Sequence, residues 1–166
     1  MLLWLLVFQV NPIQFLIYDL ITAVLVTDHT PKVAVDDVPV NAIFLDTRTK
    51  LEYAISHLPN AQWIGPQADE MDTQAIAKNH PIVVYCSIGY RSGQVGEQLL
   101  KQGYTQVYNL DGGLFKWHNQ YKPVVRNGNT TKDIHPYSAF WGLWLENANR
   151  IYQLPEEKKV HTSVER

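Results

Sequence analysis

Val83-Val84-Tyr85-Cys86-Ser87-Ile88-Gly89-Tyr90-Arg91-Ser92-Gly93 is the stretch on which the fold turns. An apolar run, Ile82 to Tyr85, reads as a central strand covered on both faces. It passes into a short loop, and the loop passes directly into a helix candidate, Ser92 to Gln102. Cys86 begins that loop, at the carboxyl edge of a sheet, where α/β folds place their ligands. A loop that curls about its own centre turns successive backbone N–H groups inward and forms an anion nest. The start of the following helix adds its positive end. Gly89 supplies the left-handed conformation such a curl needs, and Arg91 adds a permanent charge with a planar fork of donors. Thiols beside cations at helix N-termini ionise at about 3.5–7.5 rather than about 8.5, so Cys86 is expected to be a nucleophile without a histidine base.

Working outward, the chain alternates apolar runs with helical patterns. The runs are Ala42 to Leu45, Ala61 to Ile64, Ile82 to Tyr85 and Val107 to Leu110. The helix candidates are Lys50 to Ser56, Met71 to Lys78, Ser92 to Gln102 and Leu114 to Gln120, and Gly103 sits where a C-terminal capping glycine belongs. This alternation predicts an α/β fold: a mainly parallel central sheet with helices on both faces.

Composition narrows the function. At 166 residues the chain has room for one well-buried domain. Its 14 basic and 16 acidic residues leave a net charge of -2, without the basic stripe that nucleic-acid binding needs. A lone cysteine excludes an internal disulfide, a Cys-x-x-Cys redox pair and a thiolate zinc cluster. The six histidines are not clustered, so neither a metal nor another cofactor is expected.

Two flanking segments read differently. Residues 1–31 are strongly apolar and carry no Lys or Arg, and Leu2 to Phe8 is an unbroken apolar run. Gln9, Asn11, Pro12, Gln14 and Asp19 interrupt the pattern, which leaves a packed helix over Phe15 to Val26, a membrane anchor and a signal-like segment all open. Membrane contact therefore rests on this segment alone. A cytoplasmic location is slightly favoured over a membrane-associated or exported one. Residues 126–166 comprise a polar loop, an aromatic helix and a charged tail from Glu156. Tyr137, Phe140, Trp141 and Trp144 are spaced so that most fall on one helical face, which is expected to pack.

Cys86-Ser87-Ile88-Gly89-Tyr90-Arg91 resembles the Cys-x-x-Gly-x-Arg loop of rhodanese-like sulfurtransferases. Leu45-Asp46-Thr47-Arg48 with Glu52-Tyr53 is similar to that family's Asp-x-Arg and Glu-Tyr/Phe block. His57-Leu58-Pro59-Asn60-Ala61 resembles its His-Ile-Pro-Gly-Ala turn, with Asn60 in place of glycine. Asn109 to Trp117 resembles its Leu-x-Gly-Gly-x-x-x-Trp block. The four blocks run in register over residues 32–125. The resemblance implies a persulfide on Cys86, filled by a donor such as thiosulfate and emptied by cyanide, a thiol or a sulfur-carrier protein. The backbone of Ser87, Ile88, Gly89, Tyr90 and Arg91 would hold the anionic sulfurs. Arg91 would either bind the donor's sulfonate or brace the loop, and Tyr90 would line the mouth. Asp46 and Arg48 would be structural, and Gly112 and Gly113 would permit close backbone approach. Two rivals stand beside this: a non-catalytic interaction module, and a phosphatase or arsenate reductase. The last uses a loop one residue longer than the four residues between Cys86 and Arg91.

Overall fold

The computed structural model describes residues 12–67 and 75–154. In chain order come α1 (Pro12–Leu25), β1 (Lys32–Val33), a 3-10 turn (Val35–Asp37), β2 (Ile43–Asp46), α2 (Lys50–Ile55) and β3 (Gln62–Trp63). Then follow β4 (Ile82–Tyr85), α3 (Tyr90–Lys101), β5 (Val107–Leu110) and α4 (Gly113–Asn119). The remainder holds β6 (Val124–Arg126), β7 (Asn129–Thr131), β8 (Asp133–Ile134), α5 (Ala139–Gly142) and β9 (Asn149–Arg150).

Five strands form one sheet in the order β1-β5-β4-β2-β3, and every pairing in it is parallel. β4 lies at the centre and all four of its side chains are buried. Their alternation divides the core: Val83 and Tyr85 face one hydrophobic cluster, Ile82 and Val84 the other. Val95 and Leu99 of α3 fill the second cluster, whereas Tyr18, Leu114 and Phe115 of α1 and α4 fill the first. Helices therefore cover both faces, as the alternating pattern predicts. Truncating Leu99 to Ala would cost about 3 kcal/mol through lost burial and the cavity left behind.

Local signals set the element ends. Thr49 caps α2 through a reciprocal capping box with Glu52. Just past α3, Gly103 takes φ 92, with Tyr104 N–H donating to the Leu99 carbonyl and Gly103 N–H to that of Leu100, the paired bonds of a Schellman close. Asn60, where the family pattern has glycine, takes φ 60, a conformation Asn tolerates better than most side chains.

The flanks depart from a simple reading. α1 docks by a stripe at four-residue spacing, Tyr18, Thr22 and Val26, and leaves Leu16, Leu20 and Val24 in solvent. Among the described residues no helix is long and apolar enough to cross a membrane. The run Leu2 to Phe8 and the charged tail lie outside the described residues, as do positions 71–74 of the helix expected over 71–78; its described part, 75–78, is turn and bend rather than α-helix. The aromatic segment does not form the single packing face expected of it. α5 is one turn long: Ser138 caps its start, and Arg150 takes the carbonyls of Gly142 and Leu145 at its end. Trp141 and Trp144 consequently pack against the core, while Tyr137 and Phe140 are each 56% exposed.

Candidate active site

The carboxyl ends of β2, β4 and β5 bring Asp46, Cys86 and Asp111 to one edge of the sheet. Beyond β4 the chain cannot continue as a strand, because Gly89 stands at φ 101 and starts α3 directly. Asn109 on β5 holds this turn: its Nδ2 donates to the Gly89 carbonyl at 2.9 Å, and its Oδ1 accepts from Ser92 Oγ at 2.8 Å. The Gly89 N–H in turn points to Cys86 Sγ at 3.2 Å. Cys86 is 1% exposed, at the floor of a cleft of about 280 Å³.

The other side of the loop rests on α4. Leu114 N–H donates to the Cys86 carbonyl (2.9 Å) and Phe115 N–H to that of Ser87 (3.1 Å). In a trans peptide the N–H points opposite to the carbonyl, so the amides of Ser87 and Ile88 face away from α4. This contact demands glycine at 113. A Cβ there would meet the Cys86 carbonyl oxygen at 2.6 Å and the Ile88 nitrogen at 2.8 Å, and the residue has φ 57. Gly112 has φ 67, and its carbonyl accepts a hydrogen bond from Tyr18 Oη at 2.7 Å. Gly113 thus lets α4 seat against the loop, whereas a Cβ at Gly112 would meet the Lys116 side chain instead.

Arg91 turns inward. Its Nη1 and Nη2 donate to Glu52 Oε2 (2.8 Å) and Oε1 (2.7 Å), and Nη2 also reaches Ser87 Oγ at 3.1 Å. Ser87 Oγ donates to Glu52 Oε1 at 3.2 Å, so one carboxylate gathers both residues of the loop. Burial alone would push the Glu52 carboxyl up. The Arg91 hydrogen bonds and charge, with help from Arg48, outweigh it and hold the group at about 2. The Arg91 guanidinium also lies 5.1 Å from the centre of the Tyr137 ring.

Asp46 and Arg48 form a second, fully buried pair at 2.6 Å. Arg48 Nη2 also donates to the Ser56 carbonyl at 2.6 Å, and its guanidinium lies over the Tyr85 ring. This pair ties β2 to the end of α2 behind the cleft. Tyr90, Ser87, Ile88 and Arg91 line the cleft. Leu25 of α1 and Tyr137 and Trp141 of the C-terminal segment complete it. Sequence reasoning did not place those three, nor Glu52 or Asn109, at the site. Glu52 and Asn109 each fall in a block that resembles the family, and Glu52 also completes the Thr49-x-x-Glu52 capping box, but these signals fix positions along the chain rather than partners.

Comparison with known proteins agrees with this architecture. Residues 32–120 match the family model of the rhodanese-like domain. A sulfurtransferase of Allochromatium vinosum is 33% identical over 85 residues, which span 51% of this chain and 79% of that protein. Thiosulfate sulfurtransferase GlpE of Pseudomonas fluorescens is 31% identical over 88 residues, 53% of this chain and 81% of its own length. Among solved structures, a rhodanese-related protein from Thermoplasma volcanium superposes with a TM-score of 0.51 at 22% identity, over 57% of this chain and 97% of that one. This last likeness concerns the fold. With more than half of its length matched, the chain belongs to the rhodanese-like domain family.

Proposed function

We propose that the chain is a sulfurtransferase that carries sulfane sulfur as a persulfide on Cys86. The observation that carries the reading is the loop itself: a thiol at the floor of a cleft, met at 3.2 Å by the N–H of Gly89, the residue that caps the start of α3. Donors aimed at a sulfur stabilise it when it is charged, as thiolate and again as persulfide. In the first step the Cys86 thiolate attacks the outer sulfur of a donor such as thiosulfate. A Cys86–sulfur bond forms, the donor's S–S bond breaks, and its electron pair leaves with sulfite. In the second step cyanide, a thiol or a sulfur-carrier protein attacks the outer sulfur, and the Cys86 thiolate departs with the electrons of that bond.

The backbone from Ser87 to Arg91 cradles the anionic sulfurs, and Arg91 acts through its brace on Glu52. Asp46, Arg48, Gly112 and Gly113 hold the loop's surroundings. The relatives' names support sulfur transfer in general. Against phosphoryl chemistry stands the short four-residue spacing, together with an arginine whose fork is already filled by Glu52. Intact-mass measurement tests the proposal. Exposure to donor should add one sulfur atom to the wild-type chain and none to Cys86→Ser, which should fold normally yet form no thiocyanate. Thiocyanate formation by Cys86→Ser above background would overturn it.

A further inference from the structure

The cleft over Cys86 is walled unlike a site for a small dianion. Arg91 is the one cation lining it among the described residues, and both of its terminal nitrogens are engaged by Glu52. The pair has no net charge, so a doubly charged sulfonate entering the cleft would shed water and meet no uncommitted cation. Apart from Cys86 and Ser87, the remaining wall is apolar or aromatic: Leu25, Ile88, Tyr90, Tyr137 and Trp141. Leu25 and Tyr137 are 41% and 56% exposed, so the wall they form is reachable from solvent. An apolar cavity of about 150 Å³ takes up benzene. The cleft's volume of about 280 Å³ therefore holds a ring as well as a sulfane group.

Resting on the sulfurtransferase reading above, we infer that this cleft selects a singly charged organic sulfane-sulfur donor, RS–S⁻ or RSO₂–S⁻, whose R group is apolar or aromatic. The R group lies between Leu25, Tyr137 and Trp141, and the terminal sulfur points to Cys86. For RSO₂–S⁻ the Cys86 thiolate bonds to that terminal sulfur, the donor's S–S bond breaks, and its electron pair leaves as the sulfinate RSO₂⁻. Two negative charges enter the step and two leave it, so no oxidant or reductant is required. Leu25, Tyr137 and Trp141 all lie outside the segment 32–120 that matches the family model, so this preference belongs to the chain's own flanks.

Three donors test the inference: thiosulfate, methanethiosulfonate and benzenethiosulfonate, each rate divided by that donor's rate with free cysteine. Normalised kcat/KM should be at least about tenfold higher for benzenethiosulfonate than for either of the others, a ratio worth about 1.4 kcal/mol. The Leu25→Ser, Tyr137→Asn double variant should lower the benzene-to-methane ratio to within about threefold of unity, which removes roughly half or more of that preference on a free-energy scale. Asn is chosen at 137 because the residue has φ 62. Trp141→Ala should lower the ratio as well, and Trp141→Phe should restore most of it. Because the readout is a ratio, a general loss of folding or loop geometry does not imitate it. Equal or better normalised use of thiosulfate would overturn the inference while leaving sulfur transfer intact, and so would an unchanged ratio in the double variant. Failure of all three donors to load Cys86 would overturn the sulfurtransferase reading and this inference together.

Discussion

Two arginine–carboxylate pairs stand behind and beside the cleft, and they differ in nearly everything except chemistry. Arg48 and Asp46 are two residues apart, with neither side chain exposed. Arg91 and Glu52 are 39 residues apart, and the arginine is 21% exposed at the cleft. The first pair is sealed, with Arg48 Nη1 buried and lacking a hydrogen-bond partner among the described residues. Sealing makes such a pair costly to assemble and costlier to break, because one charge removed strands the other. The second pair stands at the cleft, where Arg91 forms part of the wall, so it sets the cleft's charge as well as its shape. Burial, more than the residues themselves, decides whether an ion pair is a strut or part of a binding surface.

Breaking the sealed pair should have the largest effect on stability. Arg48→Ala strands Asp46 and should cost about 4 kcal/mol, read as a lower urea midpoint with little change in m-value. An effect below about 1 kcal/mol would mean that the pair is solvated. The second pair should reveal itself in acid. Glu52 ionises at about 2 in the folded chain, against an ordinary value of 4.5. A depressed folded-state pKa contributes stability that is full above about pH 4.5 and disappears as pH falls through 4.5 towards 2. That contribution is about 3 kcal/mol. The acid limb of wild-type stability should be steeper than that of Glu52→Gln, and parallel curves would refute the assignment. Glu52→Gln also releases the positive charge of Arg91. Normalised kcat/KM for thiosulfate should then rise roughly threefold to tenfold relative to benzenethiosulfonate, since an unneutralised guanidinium suits a dianion. At the low end lies the exposed contact of Lys116 with Asp19 at 2.9 Å. Asp19→Asn should shift stability by no more than about 0.5 kcal/mol, because Asp19 is half exposed and Lys116 keeps Asp111.

What the sequence discloses follows the range of the interactions involved. β4 reads directly, because four apolar residues in a row suit a strand buried on both faces. The turn after it reads equally well, since Gly89 and Gly103 mark left-handed positions at the two ends of α3. Close approach at Gly113 is legible as the Gly112-Gly113 pair, although the partner carbonyl of Cys86 is visible only in the fold. The inward turn of Arg91 was undecidable from spacing, because Glu52 reaches it only after the sheet has brought α2 beside the loop. Helical periodicity misled in the aromatic segment. Arg150, itself placed by the pairing of β8 with β9, takes the carbonyls that a longer helix would have used.

The split origin of the cleft has a consequence for how such chains diverge. Cys86 and its cradle lie within the matched segment, whereas Leu25 precedes it and Tyr137 and Trp141 follow it. Substitutions on the two flanks can reshape what enters without disturbing the bonds that orient the sulfur. Lineages with identical loops can thereby drift apart in diet, and a comparison confined to the shared segment would score them as the same enzyme.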